Sequence, residues 1–317
     1  MINMNIMRPT GFSNSAFKKH EKDADNVRRL GGYRPISACP VCRSKQRRLE
    51  CSKFGIDIFC CSECDLAYSG LHPNDFNDLY SDESYLNNSK SAYDESREYR
   101  ISRFGKERVE ILRAAKPEAF TRANAPTLLD IGCGTGWFLE YACESFDAKG
   151  VEYSDSLRAF LSQNYTFQVC KATDELSIKF DFITAFDVIE HVPDPLLFLR
   201  EVRRLLKPNG VALIYTPNRS SLAFLANVDD NNLICPPHHL HYFNDTSFRR
   251  ALEIENLELI SHVTRGLDYP DIFSAMRDNS VINDDGGYIA ENLDVAQDVL
   301  DQLGFANHSR FIIGLKQ

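Results

Sequence analysis

Three groups of residues in this 317-residue chain have the types and spacing to do chemistry. The first is Asp130-Ile131-Gly132-Cys133-Gly134-Thr135-Gly136, an acid directly ahead of a G-x-G-x-G run, with Glu152 placed 22 positions after Asp130. Glycines reach positive φ and let backbone approach a ligand closely. A carboxylate ending the next strand can accept both hydroxyl protons of a ribose, so the pair describes the nucleoside half of a nucleotide site. The spacing differs from the G-x-G-x-x-G of dinucleotide sites. An acid beside the loop suits a cationic amino-acid group and repels a pyrophosphate.

The second group is Cys39-Pro40-Val41-Cys42 and Cys61-Ser62-Glu63-Cys64, two C-x2-C pairs separated by 18 residues. Thiolates favour zinc, and two such pairs can close a tetrahedral structural site. Four thiolates leave no open coordination position, so this metal would stabilise a small module and do no chemistry. Cys60 competes with Cys61 for the third place, although the gap to Cys64 favours Cys61. Cys51 reads as a bystander.

The third group is Cys235-Pro236-Pro237-His238-His239-Leu240-His241-Tyr242-Phe243-Asn244, which holds three of the eight histidines. Imidazole can take a proton near neutral pH. An alternative reading has His239 and His241 orient backbone at a proline-rich turn. A metal site made of His238, His239 and His241 has no nearby carboxylate pattern to complete it.

These residues need a scaffold, and the hydrophobic pattern supplies one. Short apolar runs at Thr127–Ile131, Ala148–Tyr153, Phe167–Cys170, Phe180–Val188 and Val211–Thr216 read as strands, with helices between them. The helix after Asp194 is the best punctuated. Asp194 is a good N-cap, Pro195 suits the first helical position, Phe198, Val202, Leu205 and Leu206 line one face, and Pro208-Asn209-Gly210 ends it. A helix at Thr246–Glu255 and strands at Glu258–Val263 and Phe311–Leu315 follow. Strands alternating with helices predict an α/β fold with a mostly parallel sheet covered on both faces. Ahead of it, Arg100–Ala115 reads as a helix, and residues 1–35 as a loose arm with a short helix near Ala24–Leu30.

At this point the chain resembles a known family. Leu128-Leu129-Asp130-Ile131-Gly132-Cys133-Gly134-Thr135-Gly136 is similar to the first motif of class I methyltransferases. The segment Phe180–Pro195, with Asp187-Val188-Ile189-Glu190-His191-Val192-Pro193, and the segment Leu205–Val211 match their later motifs in order and spacing. The resemblance implies a Rossmann-like class I sheet and S-adenosylmethionine as cofactor, whose sulfonium and α-ammonium suit the acid-flanked loop. It places Gly132, Cys133 and Gly134, with Gly136 closing the loop, along the methionine part and Asp130 near the ammonium. It places Glu152 on the ribose, Tyr153 against the adenine, Ala172 and Thr173 at the adenine edge, and Phe186 and Asp187 beneath the reacting methyl. Plain core packing is the alternative for Tyr153 and Phe186.

A cysteine module ahead of such a core resembles bacterial sugar and natural-product methyltransferases with an N-terminal zinc-binding, zinc-ribbon-like domain. The resemblance gives Cys39, Cys42, Cys61 and Cys64 a structural zinc. In sugar C-methyltransferases a histidine of the corresponding segment acts as base, and His239 matches it best, with His241 its competitor. His191 is expected near the site, either in catalysis or closing the Glu190–Pro193 turn. The expected layout is an arm over 1–35, a zinc module over 36–70, a helical linker or lid over 71–125, and the cofactor-binding domain over 126–317 with insertions at 218–245 and 265–309.

The net charge of −9 argues against a polyanion as main partner, although residues 1–50 carry 11 basic and 4 acidic side chains and the rest 25 against 41. The histidine segment also lacks the stacking platforms and basic groove of single-stranded RNA recognition. A small-molecule acceptor is therefore expected, a hydroxylated metabolite or nucleotide-linked sugar methylated on oxygen or carbon, and nucleic acid is disfavoured. RNA methylation guided by the zinc module, and a non-catalytic cofactor-binding protein, are the rivals. No run of apolar residues is long enough for a membrane helix, no secretory signal is evident, and a cytoplasmic location is expected. Nothing in the sequence sets an oligomeric state.

Overall fold

A computed structural model describes residues 11–76, 79, 97–121, 123–226, 231–278 and 287–317. Parts of the expected arm, linker and two insertions lie outside the described residues. Helix α1 (Phe12–Arg29) comes first. It buries Ala24 and Val27, one turn apart. It is tied down by Tyr33, whose hydroxyl donates to the Ala24 carbonyl at 3.0 Å, and by Asp23, 2.9 Å from His238. The sequence reads this stretch as a loose arm because few large apolar residues mark it; its neighbours hold the long helix in place.

A front unit follows, with strands β1 (Tyr33–Pro35), β2 (Arg47–Lys53), β3 (Ile56–Cys61), β4 (Ala67–Ser69) and β5 (Leu71–Pro73). β1 pairs with β5, and β2, β3 and β4 form an antiparallel sheet. The basic run at 45–48 is partly absorbed here. The Arg47 guanidinium lies 3.8 Å from the Phe59 ring centroid and donates to the Ile36 carbonyl.

The main unit starts with a π-helical turn (Ile101–Gly105) running into α2 (Lys106–Ala115). Then come β6 (Thr127–Ile131), α3 (Trp137–Ala142), β7 (Asp147–Val151), α4 (Asp155–Asn164), β8 (Gln168–Cys170), β9 (Phe180–Phe186), α5 (Pro195–Leu205) and β10 (Leu206–Pro217). The remainder is α6 (Leu222–Ala226), β11 (His241–Tyr242), α7 (Asp245–Ile254), β12 (Leu257–Arg265), α8 (Asp268–Asp278), α9 (Gly287–Leu303) and β13 (His308–Leu315). Seven strands form one sheet in the order β12-β13-β10-β9-β6-β7-β8. It is parallel except at β13, which pairs antiparallel with both β10 and β12.

Alternating residues feed opposite faces of this sheet, as a pleated strand requires. Leu129, Ile183 and Ile214 face α5 and α7, whereas Leu128, Phe182 and Leu213 face the α2 and α3 side. The first core continues through Cys39, Val41, Cys61, Cys64 and Leu66, so the front unit and the sheet share apolar packing. Helix α5 is capped as its sequence indicates, with Asp194 Oδ1 accepting from Leu196 and Leu197 N–H at 3.0 and 3.1 Å. Its face of Leu196, Leu199, Val202 and Leu205 is buried, and truncating one such leucine costs roughly 2–5 kcal/mol. The expected stop at Pro208–Gly210 differs from what is seen. The helix ends at Leu205, and the chain enters β10 at once, with an irregular register between Leu206 and Val211.

Chain order places the site. β7 lies on one side of β6 and β9 on the other, so the direction of winding reverses at the C-terminal end of β6, where ligands bind in open α/β sheets. From the other side, the histidine segment returns as β11, which joins β4 through the pairs His241–Tyr68 and Tyr242–Ala67.

Candidate active site

The glycine loop leaves β6 at the reversal point. Gly132, Gly134 and Gly136 have φ of 73°, 55° and 82°, where a Cβ is strained. A Cβ on Gly132 would lie 2.5 Å from Val188 Cγ2, while one on Gly134 would meet nothing within 4 Å. A Cβ on Gly136 would lie 2.6 Å from Leu161 Cδ2, so the loop is pressed onto its neighbours at Gly132 and Gly136 and open at Gly134. The Cys133 thiol is buried against Gly150, where an added Cβ would lie 2.7 Å from the sulfur.

Two carboxylates flank the loop. Glu152, 8% exposed, accepts the Gly134 N–H on Oε2 and the Ser154 N–H on Oε1, each at 2.9 Å. Asp130, 3% exposed, accepts the Thr184 hydroxyl at 2.7 Å. Burial pushes the Asp130 carboxyl up to about 7, against the pull of Thr184 and Arg108. A cationic ligand group would hold it ionised. Tyr153 is half exposed beside the loop, and Thr173 opens a short 3-10 turn whose carbonyl accepts from Arg204 at 2.8 Å. Ala172 precedes that turn and is partly buried.

The floor is aromatic. The Phe186 ring packs edge-on against Phe138 and Tyr215 at 5.0 and 4.8 Å. Over it lies Arg108, a residue the sequence motifs did not single out, with its guanidinium carbon 3.7 Å from the ring centroid. Arg108 is 9% exposed and makes no direct ion pair among the described residues, although Asp187 and Asp130 favour its charge from nearby; its Nε and the buried Tyr215 hydroxyl have no hydrogen-bond partner. Burying a cation with no direct ion pair is costly, and here the aromatic rings and the nearby Asp187 and Asp130 carboxylates offset part of that cost.

Asp187 follows at a φ of 57°, with Oδ1 3.3 Å from His308 Nε2. Burial raises its carboxyl, but His308, Arg108 and His239 outweigh that and hold it at about 2. Asp187 opens on a cleft of about 520 Å³ lined by Arg108, Tyr215, Arg265, His308 and Arg310 among others. His308 and Arg310 were likewise missed in the sequence, because β13 brings them to the site from the far end of the chain.

The expected histidines are not part of this cleft's lining. His239 Nδ1 is 2.7 Å from the Leu233 carbonyl, and His191 Nδ1 is 2.9 Å from the His238 carbonyl. Their rings lie 4.6 Å apart. His241 Nε2 is 2.9 Å from the Val192 carbonyl, and its ring meets that of His72. Burial lowers all three imidazoles, His191 and His241 to about 4.

In the front unit Cys39 and Cys64 have their sulfurs 3.5 Å apart, Cys42 and Cys61 3.4 Å, and all four lie within 4.8 Å of one another. These distances far exceed a disulfide bond. They match the edge of a tetrahedron of sulfurs around zinc, ~3.8 Å for a metal–sulfur distance of ~2.3 Å. The two C-x2-C turns are alike. Arg43 and Asp65, each just after its pair, have φ of 63° and 60°, and each donates its N–H to the carbonyl of the pair's first cysteine. Strand alternation turns Cys60 away, and its thiol meets Asp65 Oδ1 at 3.3 Å.

The family described as a methyltransferase domain matches residues 93–262, more than half of the chain. The chain belongs to this methyltransferase family. Over 108 residues it is 33% identical to the ubiquinone biosynthesis O-methyltransferase of Coxiella burnetii, covering 31% of this chain and 46% of that protein. The corresponding enzyme of Caulobacter vibrioides is 35% identical over 113 residues, covering 31% and 45%. The chain thus spans about half the length of the curated relatives it matches. Among solved structures, an S-adenosylmethionine-dependent methyltransferase from Clostridium acetobutylicum aligns with a TM-score of 0.47 at 13% identity, over 73% of this chain and 99% of that one. Among the described residues no helix is long and apolar enough to cross a membrane.

Proposed function

We propose that this methyltransferase acts on a small hydroxylated metabolite or nucleotide-linked sugar, on oxygen or carbon. The cleft at Asp187 carries the reading: its volume suits a small acceptor, and it opens beside the aromatic floor where the family's resemblance puts the methyl. The methyl of the cofactor is already activated, so the protein has to align it with a nucleophile and manage one proton.

Within the site, Asp130 takes the cofactor's ammonium and Arg108 its carboxylate. Glu152 takes the ribose hydroxyls, Tyr153, Ala172 and Thr173 surround the adenine, and Gly132, Cys133 and Gly134 offer their backbone to the methionine chain. Phe186 and Asp187 form the floor. We assign control of the acceptor's proton to His239 with His191 against it. Cys39, Cys42, Cys61 and Cys64 hold a structural zinc, which locks the front sheet that β11 joins.

The test is a mass-spectrometric screen of the purified protein with S-adenosylmethionine and a panel of nucleotide sugars and hydroxylated metabolites, with ribosomal RNA as comparison. A mass gain of one methyl on a small acceptor supports the proposal. Methylation of RNA alone, with steep salt dependence, would replace it.

A further inference from the structure

Two backbone carbonyls set the tautomers of His191 and His239. Their Nδ1 atoms lie 2.9 and 2.7 Å from the carbonyl oxygens of His238 and Leu233. A carbonyl only accepts, so each Nδ1 carries the hydrogen and each Nε2 carries a lone pair. This is the arrangement by which proteins fix imidazoles that ligate metal ions. The third participant is Glu190, whose side chain is wholly buried. Its Oε2 accepts the Thr216 hydroxyl at 3.0 Å, while Oε1 has no hydrogen-bond partner. One donor atom from each of Glu190, His191 and His239 lies within 4.8 Å of the other two.

We propose that Glu190, His191 and His239 form a second metal site, distinct from the four cysteines, for a divalent transition-metal ion. Two imidazoles and one carboxylate suit zinc or another ion of the first transition row better than magnesium or calcium, which prefer oxygen. Three protein ligands leave coordination positions open, whereas the four thiolates leave none. The sequence reading dismissed a histidine metal site for want of a carboxylate. Folding provides one, from the turn after β9 rather than from the histidine segment itself. Two further bonds clamp that turn to the segment, with Leu240 and His241 N–H donating to the Glu190 carbonyl at 2.7 and 3.3 Å.

Asp187, three residues before Glu190, lines the cleft, so one short stretch of chain links the metal cluster to it. An ion with open positions lowers the pKa of a hydroxyl that reaches it, which is how the histidine pair would act on the acceptor's proton. That last step rests on the proposed function; the metal site does not.

The full-length protein, stripped with a chelator and reloaded with Co(II), tests the site without reading methyl transfer. The expected result is about two equivalents bound, one with the intense near-ultraviolet sulfur-to-cobalt absorption of thiolate ligands and one with only the weaker visible bands of nitrogen and oxygen ligands. Glu190→Gln and His239→Gln should remove the second spectrum and keep the first. The proposal fails if all cobalt in the unsubstituted protein is thiolate-bound, or if the nitrogen–oxygen spectrum survives both substitutions. Because the unsubstituted protein decides the first point alone, a variant that does not fold leaves the proposal exposed. Failure here leaves the acceptor reading standing, and an unmethylated acceptor panel leaves the metal site standing.

Discussion

Glu152 and Gly134 are joined by a 2.9 Å hydrogen bond from the loop N–H to the carboxylate, which makes the acid we assign to the ribose and the glycine loop one unit. Glu152→Ala removes the proposed ribose acceptor and frees the loop together. Cofactor affinity should fall by roughly 1.5–3 kcal/mol, as for hydrogen bonds to a charged group. Calorimetry with the homocysteine product measures it, and an unchanged affinity would remove Glu152 from the cofactor site.

Arg108 makes an independent prediction. Its guanidinium is buried over Phe186 without an ion-pair partner among the described residues, and the cofactor's carboxylate would supply one. Arg108→Gln should weaken cofactor binding by roughly 1.5–3 kcal/mol. Thermal stability should change little, since the buried charge has no direct ion pair to lose and glutamine keeps part of the packing over Phe186. A large loss of stability with unchanged cofactor affinity would make Arg108 a packing residue.

Asp130 predicts a pH dependence. Burial is the main reason its carboxyl sits at about 7. In the proposed contact the ammonium binds the ionised form, so affinity should be full above that value and fall as pH drops through it, by up to about tenfold per pH unit. Asp130→Asn should weaken binding and flatten the dependence. Equal affinity in the unsubstituted protein at about pH 8 and about pH 6 would contradict the assignment.

The cysteine cluster predicts a thiolate-bound zinc in freshly purified protein. Because Cys39, Cys61 and Cys64 belong to the same apolar core as Leu129 and Ile183, losing the metal should be felt beyond the front sheet. Cys42→Ser should remove hydrogen-exchange protection first over residues 36–70, with a lowered melting temperature for the whole protein. Disulfides between the two pairs, without metal, would sink the idea.

The readable parts of the sequence were those governed by neighbours in the chain. Asp194 and Pro195 announce their helix because capping needs only the next few residues, and the glycine loop announces the turn because only glycine takes its φ values cheaply. Arg108, Glu190 and His308 carry no such signal. Arg108 sits on a helix more than one strand before Phe186, and His308 meets Asp187 only because β13 is antiparallel to β10. Their roles arise from the sheet's topology. Helix α1 shows the same limit, since its stability depends on partners such as His238, far along the chain.

His239 and His241 make the sharpest contrast, because two residues apart on one segment they face different surroundings. His239 meets His191 and shares a donor cluster with Glu190. His241, wholly buried, lies against His72 and Phe243 within the strand that joins the front sheet. His239→Ala should therefore lower turnover by about 10²–10⁴-fold, the usual share of positioned proton transfer, with cofactor affinity nearly unchanged because the loop contacts lie elsewhere. His241→Ala should instead lower the melting temperature, with turnover per folded molecule largely kept. Steady-state kinetics with the identified acceptor, beside calorimetry and thermal denaturation, separate the two. Near-full turnover in His239→Ala would move proton control to the cleft, where His308 stands against Asp187. Loss of turnover in His241→Ala at unchanged stability would exchange the roles of the pair.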